Sequence, residues 1–432
     1  MFTPSIQAFE SGLLIGLYIW DYIDGKQGAK LAASYQPFPL PKTGDARSSP
    51  SDVSIVVPTI DWDESLPRNL VTWLSNKPRE VIFVTVGNQL ARLRHDLETA
   101  PGVKEARQNS GARILVVSAP EANKRIQLCE GINRTTGGII ALVDDDALWT
   151  TENVLINLLA PFQQDDIGLV GGPIDSYVPE ERRKSHVITG WEVAALRIRQ
   201  RRETGMAAFY AADRSTNFTV SGLTMLLRAE IIKDSYFQHY FLHDLWDGVV
   251  QNTGDDGFIT RYILFKHHRT DQHKSHVLPR QWRIGIQLVP EARVLTSLMQ
   301  TNAFAHQSKR WYRSGLRLRL TCLLYEPGYR RMKITAPYMA RKMAAGMITP
   351  IFTIVRTYLW YRLWVNFPWI ALILLLYVLY NWFTGLYRFY LRFPYCGSKI
   401  WAAIIADNLY LVSDFYTWVT LSTESWSNRP SV

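Results

Sequence analysis

Cysteine is scarce in this chain, with three residues in 432. Cys129, Cys322 and Cys396 lie far apart and match neither a CxxC pair nor a metal-ligand spacing. This pattern argues against a disulfide framework and a cysteine metal site, and it indicates that most of the chain lies in a reducing compartment such as the cytosol. No internal repeat or low-complexity tract is present either, which argues against a repeat array.

The first thirty residues lack the basic start and the small-residue cleavage site of a secretory signal peptide. Residues 6–23 are mostly apolar, but Glu10 interrupts the run and Asp21 closes it. We expect a short membrane or interfacial helix over residues 1–30. Residues 31–52, rich in proline, serine and glycine, are predicted to form a linker.

Negative charge is in the minority, and the formal net charge of +10 predicts an anionic partner. Nucleic acid, a phospholipid surface and a phosphorylated substrate all meet that requirement. Aromatic residues make up 12% of the chain, including 15 tryptophans and 21 tyrosines, and many are concentrated in the last hundred residues. That distribution is typical of a membrane interface and argues against nucleic acid.

The C-terminal composition predicts two to three membrane spans within residues 339–425, and therefore a multi-pass membrane protein. The apolar segments are residues 343–360, 367–386 and 400–421. Asp407 and Asp414 interrupt the last segment, so they are either functional or a sign that it does not fully face lipid. Residues 313–338, with several arginines, are expected to lie on the cytosolic leaflet and to place the preceding domain in the cytosol.

Apolar runs alternate with helical patterns in the central region. Residues 53–59, 79–86, 112–117 and 138–143 are predicted strands, and helices are predicted at residues 66–75, 89–100 and 123–133. Strands alternating with helices indicate right-handed βαβ units and a parallel sheet. The sequence therefore predicts an α/β domain.

Three aspartates directly follow the fourth predicted strand. Asp144 and Asp146 project to one side of an extended chain, and Asp145 projects to the other. Carboxylates at the carboxyl end of such a strand lie where α/β sheets bind ligands, and two of them can share Mg²⁺ or Mn²⁺ with substrate phosphates. The alternative is an acidic turn that caps the next helix.

Three further groups of polar residues are candidates for binding or catalysis. Lys124 and Arg125 begin a predicted helix, where a bound phosphate or simple solvation would explain the basic charges. Asp255 and Asp256 follow a glycine and could include a general base or form an ordinary capping turn.

The third group comprises Gln307, Arg310 and Trp311, which share one helix face. Together they could bind a phosphate and stack on a sugar ring, or they could lie at a lipid surface. An arginine-rich helix is also predicted over residues 191–202.

The order of these motifs from residue 53 to residue 311 resembles that of the family 2 glycosyltransferases. The resemblance is to the membrane-embedded branch of cellulose, chitin and hyaluronan synthases, and nearest to the fungal type 2, capsular-polysaccharide-synthase-like enzymes. It implies a GT-A-type nucleotide-sugar-binding domain with a mixed, mostly parallel sheet over residues 53–312. Membrane helices at the C-terminus and the N-terminus would flank it.

The resemblance also assigns roles to the candidate residues. Thr59, Lys124, Asp144 and Asp146 would bind a UDP-sugar, the two aspartates together with Mn²⁺ or Mg²⁺. Asp256, beside Asp255, would deprotonate the acceptor hydroxyl in an inverting reaction. The third group, Gln307, Arg310 and Trp311, would bind the pyrophosphate and the acceptor end of a growing cell-wall or extracellular polysaccharide.

The resemblance has one departure and leaves alternatives open. Residues 85–88, Thr-Val-Gly-Asn, stand where the family usually has uridine-contacting aspartates. The alternatives are a single sugar addition to a lipid acceptor and a non-catalytic membrane scaffold that retains the fold. The expected partners are the donor, the glycan acceptor and a lipid bilayer, with the plasma membrane as the family's usual site, and either a homo-oligomer or accessory subunits.

Overall fold

A computed structural model describes residues 4–42, 44–60, 65–200, 202–265 and 281–423. The β-strands, in chain order, are β1 Val53–Pro58, β2 Glu80–Val86, β3 Arg113–Ala119, β4 Ile139–Val143, β5 Ala147–Trp149, β6 Ile167–Gly171, β7 Ile174–Tyr177, β8 Thr224–Arg228, β9 Leu245–Trp246, β10 Val249–Val250, β11 Arg283–Ile286 and β12 Val294–Ser297.

The α-helices of the N-terminal half are α1 Pro4–Ser34, α2 Leu66–Ser75, α3 Leu90–Thr99, α4 Val103–Ser110, α5 Lys124–Arg134, α6 Val154–Leu159, α7 Gly190–Arg199 and α8 Arg202–Asp213. Those that follow are α9 Ala229–Ile232, α10 Ser235–Leu242, α11 Asp255–Phe265, α12 Ala303–Leu320, α13 Tyr329–Thr335, α14 Pro337–Asn366, α15 Pro368–Arg392, α16 Ile400–Asn408 and α17 Tyr410–Val419.

The central sheet has seven strands in the order β11-β6-β8-β4-β1-β2-β3. All neighbouring pairs are parallel except those of β8, which runs antiparallel to both β4 and β6. Strands β1, β2 and β4 are buried along their whole length because helices cover both faces. The predicted mixed, mostly parallel α/β sheet is confirmed.

A second, three-stranded sheet forms immediately after the three aspartates. Its central strand, β12, pairs antiparallel with β5 and parallel with β7. Thr296 of β12 stands opposite Ala147, the residue that follows the aspartates. The pairing therefore fixes a distant part of the chain beside the end of β4.

The predicted N-terminal linker is packed against the α/β domain over part of its length. The Tyr35 hydroxyl donates to the Ile286 carbonyl at 2.7 Å and accepts from the Leu288 amide at 2.9 Å. The Gln287 side chain bonds both the amide and the carbonyl of Phe38. These bonds attach the end of α1 to β11.

Helix α1 packs lengthwise against α14 through opposite charges. Asp24 pairs with Arg341 at 2.6 Å, and Glu10 pairs with Arg362 at 2.8 Å. The acidic residues that interrupt the N-terminal apolar run therefore face a basic helix from the other end of the chain. Pairing of this kind is how charged groups are accommodated beside apolar surroundings.

In the part of the chain that the structure describes, one helix is long and apolar enough to cross a membrane, namely α15, Pro368–Arg392. Few of its residues are buried. Residues 400–421 form two shorter helices rather than one span, and α14 carries several basic residues. The prediction of two to three spans, and with it a multi-pass protein, is therefore not supported. The N-terminal helix α1 does not meet the same criterion of length and hydropathy.

The last helices are attached to the α/β domain. Arg197 of α7 binds the Asp407 carboxylate with two hydrogen bonds of 2.8 and 2.7 Å, and it also donates to the Gly385 carbonyl. Asp407 therefore faces the protein rather than lipid, which favours the interpretation that this segment does not fully face lipid. The hydrophobic cluster around Phe389 and Ala403 surrounds this ion pair.

The predicted boundary between residues 312 and 313 lies inside helix α12, and two arginines beyond it are buried. Arg313 donates to the Thr423 carbonyl at 2.9 Å, and Arg317 donates to the Leu421 carbonyl at 2.7 Å. The prediction that these arginines lie exposed on a lipid leaflet is wrong. They instead bind carbonyls that follow α17, where helix ends leave acceptors unsatisfied.

We expect Asp407→Asn to destabilise the protein by roughly 3 kcal/mol, because it leaves the buried Arg197 guanidinium without a compensating charge. Thermal denaturation of the purified protein measures the effect. The matched control is Asp165→Asn, which removes an exposed pair with Arg47 and should cost less than about 1 kcal/mol. Equal melting temperatures for the two variants would contradict the proposed anchoring.

Candidate active site

The three aspartates after β4 face different neighbours. The Thr59 hydroxyl donates to Asp145 at 2.8 Å, and the Thr296 hydroxyl donates to Asp146 at 2.7 Å. Asp144 is placed by its own backbone amide, which donates to the Leu223 carbonyl of the segment before β8. Asp145 is thus directed toward β1, and Asp146 toward β12.

Lys124 connects the aspartates after β4 with those that begin α11. Its ammonium lies 2.8 Å from Asp144 and 3.0 Å from Asp255. It is the first residue of α5, where the Asn123 side chain caps the helix by accepting from the Arg125 and Ile126 amides. The basic charge at this position is therefore matched by two protein carboxylates.

Arg125 does not face the cleft. It is buried, and its guanidinium donates to the Phe241 and Thr253 carbonyls and to the Asp244 carboxylate. Asp244 also accepts from the buried Arg261 at 2.8 Å. The interpretation of Arg125 as a possible anion ligand is wrong, because the side chain instead fixes the segment that precedes Asp255.

Asp255 and Asp256 occupy the first turn of α11. Burial opposes ionisation of both, but the adjacent Lys124 outweighs it at Asp255, whose pKa is lowered. The pKa of Asp256 is raised by burial and by the neighbouring Asp255. A Cβ placed on Gly222 would lie 3.5 Å from both the Asp256 Cβ and the Lys124 Nζ, so this glycine borders both groups.

Asp144 and Asp146 carry negative charge that the protein compensates only in part. Burial raises the pKa of Asp144 to about 7, against the opposing effect of Lys124, and repulsion by Asp146 and Asp255 adds to the rise. No group of three or more potential metal ligands occurs among the described side chains. Two carboxylates with excess negative charge fit a hard divalent cation whose other ligands are phosphate and water oxygens.

Helix α12 carries Gln307, Arg310 and Trp311, as predicted from the sequence. Gln307 and Arg310 are half-buried, and Trp311 is exposed. Among the described side chains, Arg310 makes no ion pair with the aspartates, and the Gln307 amide makes no hydrogen bond to them. The structure connects the motif to the rest of the site through Arg199, whose guanidinium lies 5.0 Å from the centre of the Trp311 ring.

Arg199 and Arg202 are residues of the site that the sequence did not single out. Arg199 interacts electrostatically with Asp146, and Arg202 interacts electrostatically with Asp256. The sequence showed an arginine-rich helix here, but it could not show which arginines face the aspartates. That information comes from how α7 and α8, which lie between β7 and β8 along the chain, pack in the fold.

The end of β2 contains the segment that departs from the resemblance. Thr85 is buried, and its hydroxyl has no hydrogen-bond partner in the described residues. The carbonyls of Val84 and Thr59 both accept from the Gln127 amide, at 2.8 and 3.1 Å. Gln127 therefore holds the ends of β1 and β2 side by side in the absence of aspartates at this position.

The fold is GT-A-like, and Asp144, Asp145 and Asp146 lie at the carboxyl end of β4, where mostly parallel α/β sheets bind ligands. Residues 50–314 match the model of the family "Glycosyltransferase like family 2". The chain belongs to this family and is a glycosyltransferase.

Two relatives and one solved structure show the range of similarity. The chain is 32% identical to the NDP-glycosyltransferase ltbB of Aspergillus luteorubrus over 416 residues, which cover 96% of each protein. It is 31% identical to a type 2 glycosyltransferase of Zymoseptoria tritici, over 68% of this chain and 56% of that one.

The structure is similar to the mannosyltransferase PcManGT from Pyrobaculum calidifontis, in complex with GDP-Man and Mn²⁺. The TM-score is 0.50 with 16% identity, over 95% of this chain and 99% of the other. At this identity the similarity establishes the fold alone.

We expect Asp244→Asn to destabilise the protein by roughly 3–5 kcal/mol, because Arg125 and Arg261 would lose a shared buried counter-charge. Denaturation measures the loss, and hydrogen exchange of residues 253–258 should increase. Asp234→Asn is the matched control: Asp234 caps α10, and asparagine caps helices equally well. Unchanged exchange in the Asp244 variant would contradict the positioning role.

Proposed function

We propose that the protein is a metal-dependent, inverting glycosyltransferase that transfers a sugar from a nucleotide diphosphate donor to an acceptor hydroxyl. The observation that carries the proposal is the position of Lys124, within 3.0 Å of a carboxylate from each of two groups. Because one ammonium contacts both groups, a single sugar can reach the donor-side Asp144 and the acceptor-side Asp256 together.

The donor side consists of Asp144, Asp146, Lys124 and Thr59. Asp144 and Asp146 would hold Mn²⁺ or Mg²⁺, and this cation would neutralise the developing charge of the leaving diphosphate. Lys124 lies beside Asp144, where it can contact a phosphate oxygen. The Mn²⁺ and GDP-mannose bound to PcManGT support a metal and a nucleotide-sugar, and the family resemblance favours a UDP-sugar.

The acceptor side consists of Asp256, with Asp255 beside it. The raised pKa of Asp256 suits a group that must accept a proton from a hydroxyl. As that proton is transferred, the acceptor oxygen forms a bond to the anomeric carbon and the bond to the diphosphate oxygen breaks. Attack from the side opposite the leaving group inverts the anomeric centre.

For the acceptor, the Gln307, Arg310 and Trp311 motif favours a growing cell-wall or extracellular polysaccharide at a membrane. A second candidate is a single addition to a lipid acceptor. It is favoured by Arg392, which ends the candidate membrane helix α15 and pairs with Asp175 next to the site. A non-catalytic membrane scaffold is the remaining alternative, and it predicts no donor turnover.

We expect Asp256→Asn to lower sugar transfer by about 10²- to 10⁴-fold while nucleotide binding remains, because only the proton acceptor is lost. Asp146→Asn should instead abolish metal-dependent nucleotide binding. Purified protein with Mn²⁺ and a panel of UDP- and GDP-sugars measures both effects as nucleotide release and nucleotide affinity.

The control for these two substitutions is Asp165→Asn, which makes the same change at an exposed position. Wild-type protein that releases no nucleotide from any donor, and binds none, would favour the scaffold. Measuring the size of the product separates the two transferase candidates. A long polymer identifies a polysaccharide synthase, and a single added sugar identifies a transferase that acts on a lipid acceptor.

Thr296→Val removes the hydroxyl that donates to Asp146 while keeping the shape of the side chain. We expect the apparent affinity for Mn²⁺ in nucleotide binding to fall about tenfold, because groups that orient metal ligands contribute at this level. Thr99→Val, on the exposed end of α3, should leave it unchanged. An unaltered Mn²⁺ titration would show that Thr296 does not orient a metal ligand.

A further inference from the structure

Two arginines lie at the junction of helices α7 and α8, beside the candidate site. Arg199 is the last residue of α7, and Arg202 is the first residue of α8. Both side chains are half-buried. They repel one another electrostatically, since the proximity of Arg202 lowers the pKa of Arg199. Each of two like charges in one cleft disfavours the charged form of the other, and a bound anion would offset that repulsion.

The position of Arg199 is fixed by its neighbours. Its guanidinium stacks over the exposed Trp311 ring at 5.0 Å and lies 3.5 Å from the Ser176 hydroxyl. Arg202 lies near Asp256, the proposed proton acceptor. Both cations therefore border the side of the cleft that an acceptor must enter.

Two carboxylates near this pair are bound to other cations, while Asp146 and Asp256 act on it electrostatically without forming an ion pair in the described part of the chain. Asp175 pairs with Arg293 and Arg392, and Glu203 also pairs with Arg293. Within the described residues, neither Arg199 nor Arg202 forms an ion pair. Desolvation lowers the pKa of Arg199 to about 10 and also lowers that of Arg202, and the opposing effects of Asp146 and Asp256 do not offset it.

We propose that Arg199 and Arg202 form an acceptor subsite that binds a phosphate ester, so that the acceptor is a hydroxyl compound that also carries a phosphate. The inference rests on the proposed transferase function. A guanidinium presents planar, paired donors that suit phosphate oxygens, and two of them can hold one phosphate while the hydroxyl reaches Asp256.

The subsite lies close to the end of the candidate membrane helix. Arg392, at the C-terminus of α15, reaches the same Asp175 whose charge influences Arg199. A phosphate at this position can therefore belong to a lipid headgroup at a membrane surface or to a soluble ester. The chemistry is the same for both, and the source is decided by experiment.

The experiment uses the full-length protein with Mn²⁺ and saturating UDP or GDP, so that the donor phosphate site is already filled. Glycerol 3-phosphate and glycerol are titrated as probes, and binding is followed by calorimetry. We expect the phosphate ester to bind and glycerol not to bind. Arg199→Gln and Arg202→Gln should each weaken the binding at least about tenfold, the minimum for loss of a charged hydrogen bond.

The matched control is Arg107→Gln, which removes one positive charge from an exposed position on α4. It should leave glycerol 3-phosphate binding unchanged. Nucleotide affinity, measured in the same samples, should be the same in Arg107→Gln as in wild type. Failure of wild type to bind nucleotide would reject the proposed function, whereas nucleotide binding without phosphate-ester binding would reject the subsite alone.

Two further outcomes overturn the inference. Glycerol 3-phosphate that binds only when nucleotide is absent would show that it occupies the donor site, and equal weakening by Arg107→Gln would show a nonspecific charge effect.

The lipid arm compares liposomes of phosphatidylcholine with and without phosphatidylglycerol, whose headgroup carries hydroxyls beside a phosphodiester. Preferential binding to phosphatidylglycerol that requires Arg202 identifies a lipid source. Binding of the soluble ester alone identifies a soluble acceptor.

Discussion

The site depends on one buried ammonium held between carboxylates from distant parts of the chain. Lys124 begins α5, Asp144 follows β4 and Asp255 begins α11, and the three meet within 3.0 Å. Without the Lys124 ammonium, the carboxylates of Asp144 and Asp255 would repel each other in a region where water screens little. The same contact brings Asp144 and Asp255 together, although they belong to separate parts of the chain.

A second set of buried arginines holds the elements around this contact in place. Arg125 and Arg261 share Asp244 and so connect α5, the segment before α11, and α11 itself. Arg197 does the same between α7 and α16 through Asp407. Much of the excess basic charge is therefore used inside the protein, where each guanidinium satisfies carbonyls and carboxylates that loops and helix ends leave available.

The sequence was sufficient for the α/β sheet and for the candidate carboxylates, because both depend on local patterns. Uninterrupted apolar runs identify strands buried on two faces, and the aspartates follow directly from the end of β4. It was not sufficient for the arginines. In the sequence, nothing distinguishes Arg125, Arg313 and Arg317 from surface or phosphate-binding arginines. Their burial results from partners more than 100 residues away.

Hydropathy also misjudged the terminal helices. It scores each helix as if it were isolated, whereas α1 and α14 compensate each other's charges and α16 is held by an ion pair. The role proposed for Arg199 and Arg202 was likewise beyond sequence patterns, since it depends on which nearby carboxylates are already paired.

The pairing of α1 with α14 limits which fragments of the chain can be expressed separately. The two helices come from opposite ends of the chain, and the segment after α1 is bonded to β11. The α/β domain is thus attached to a helix pair whose two halves precede it and follow it in the chain. A fragment limited to residues 53–312 would lack both halves and would expose the Arg197 guanidinium and the β11 edge at once. The complete chain is the unit to express and purify.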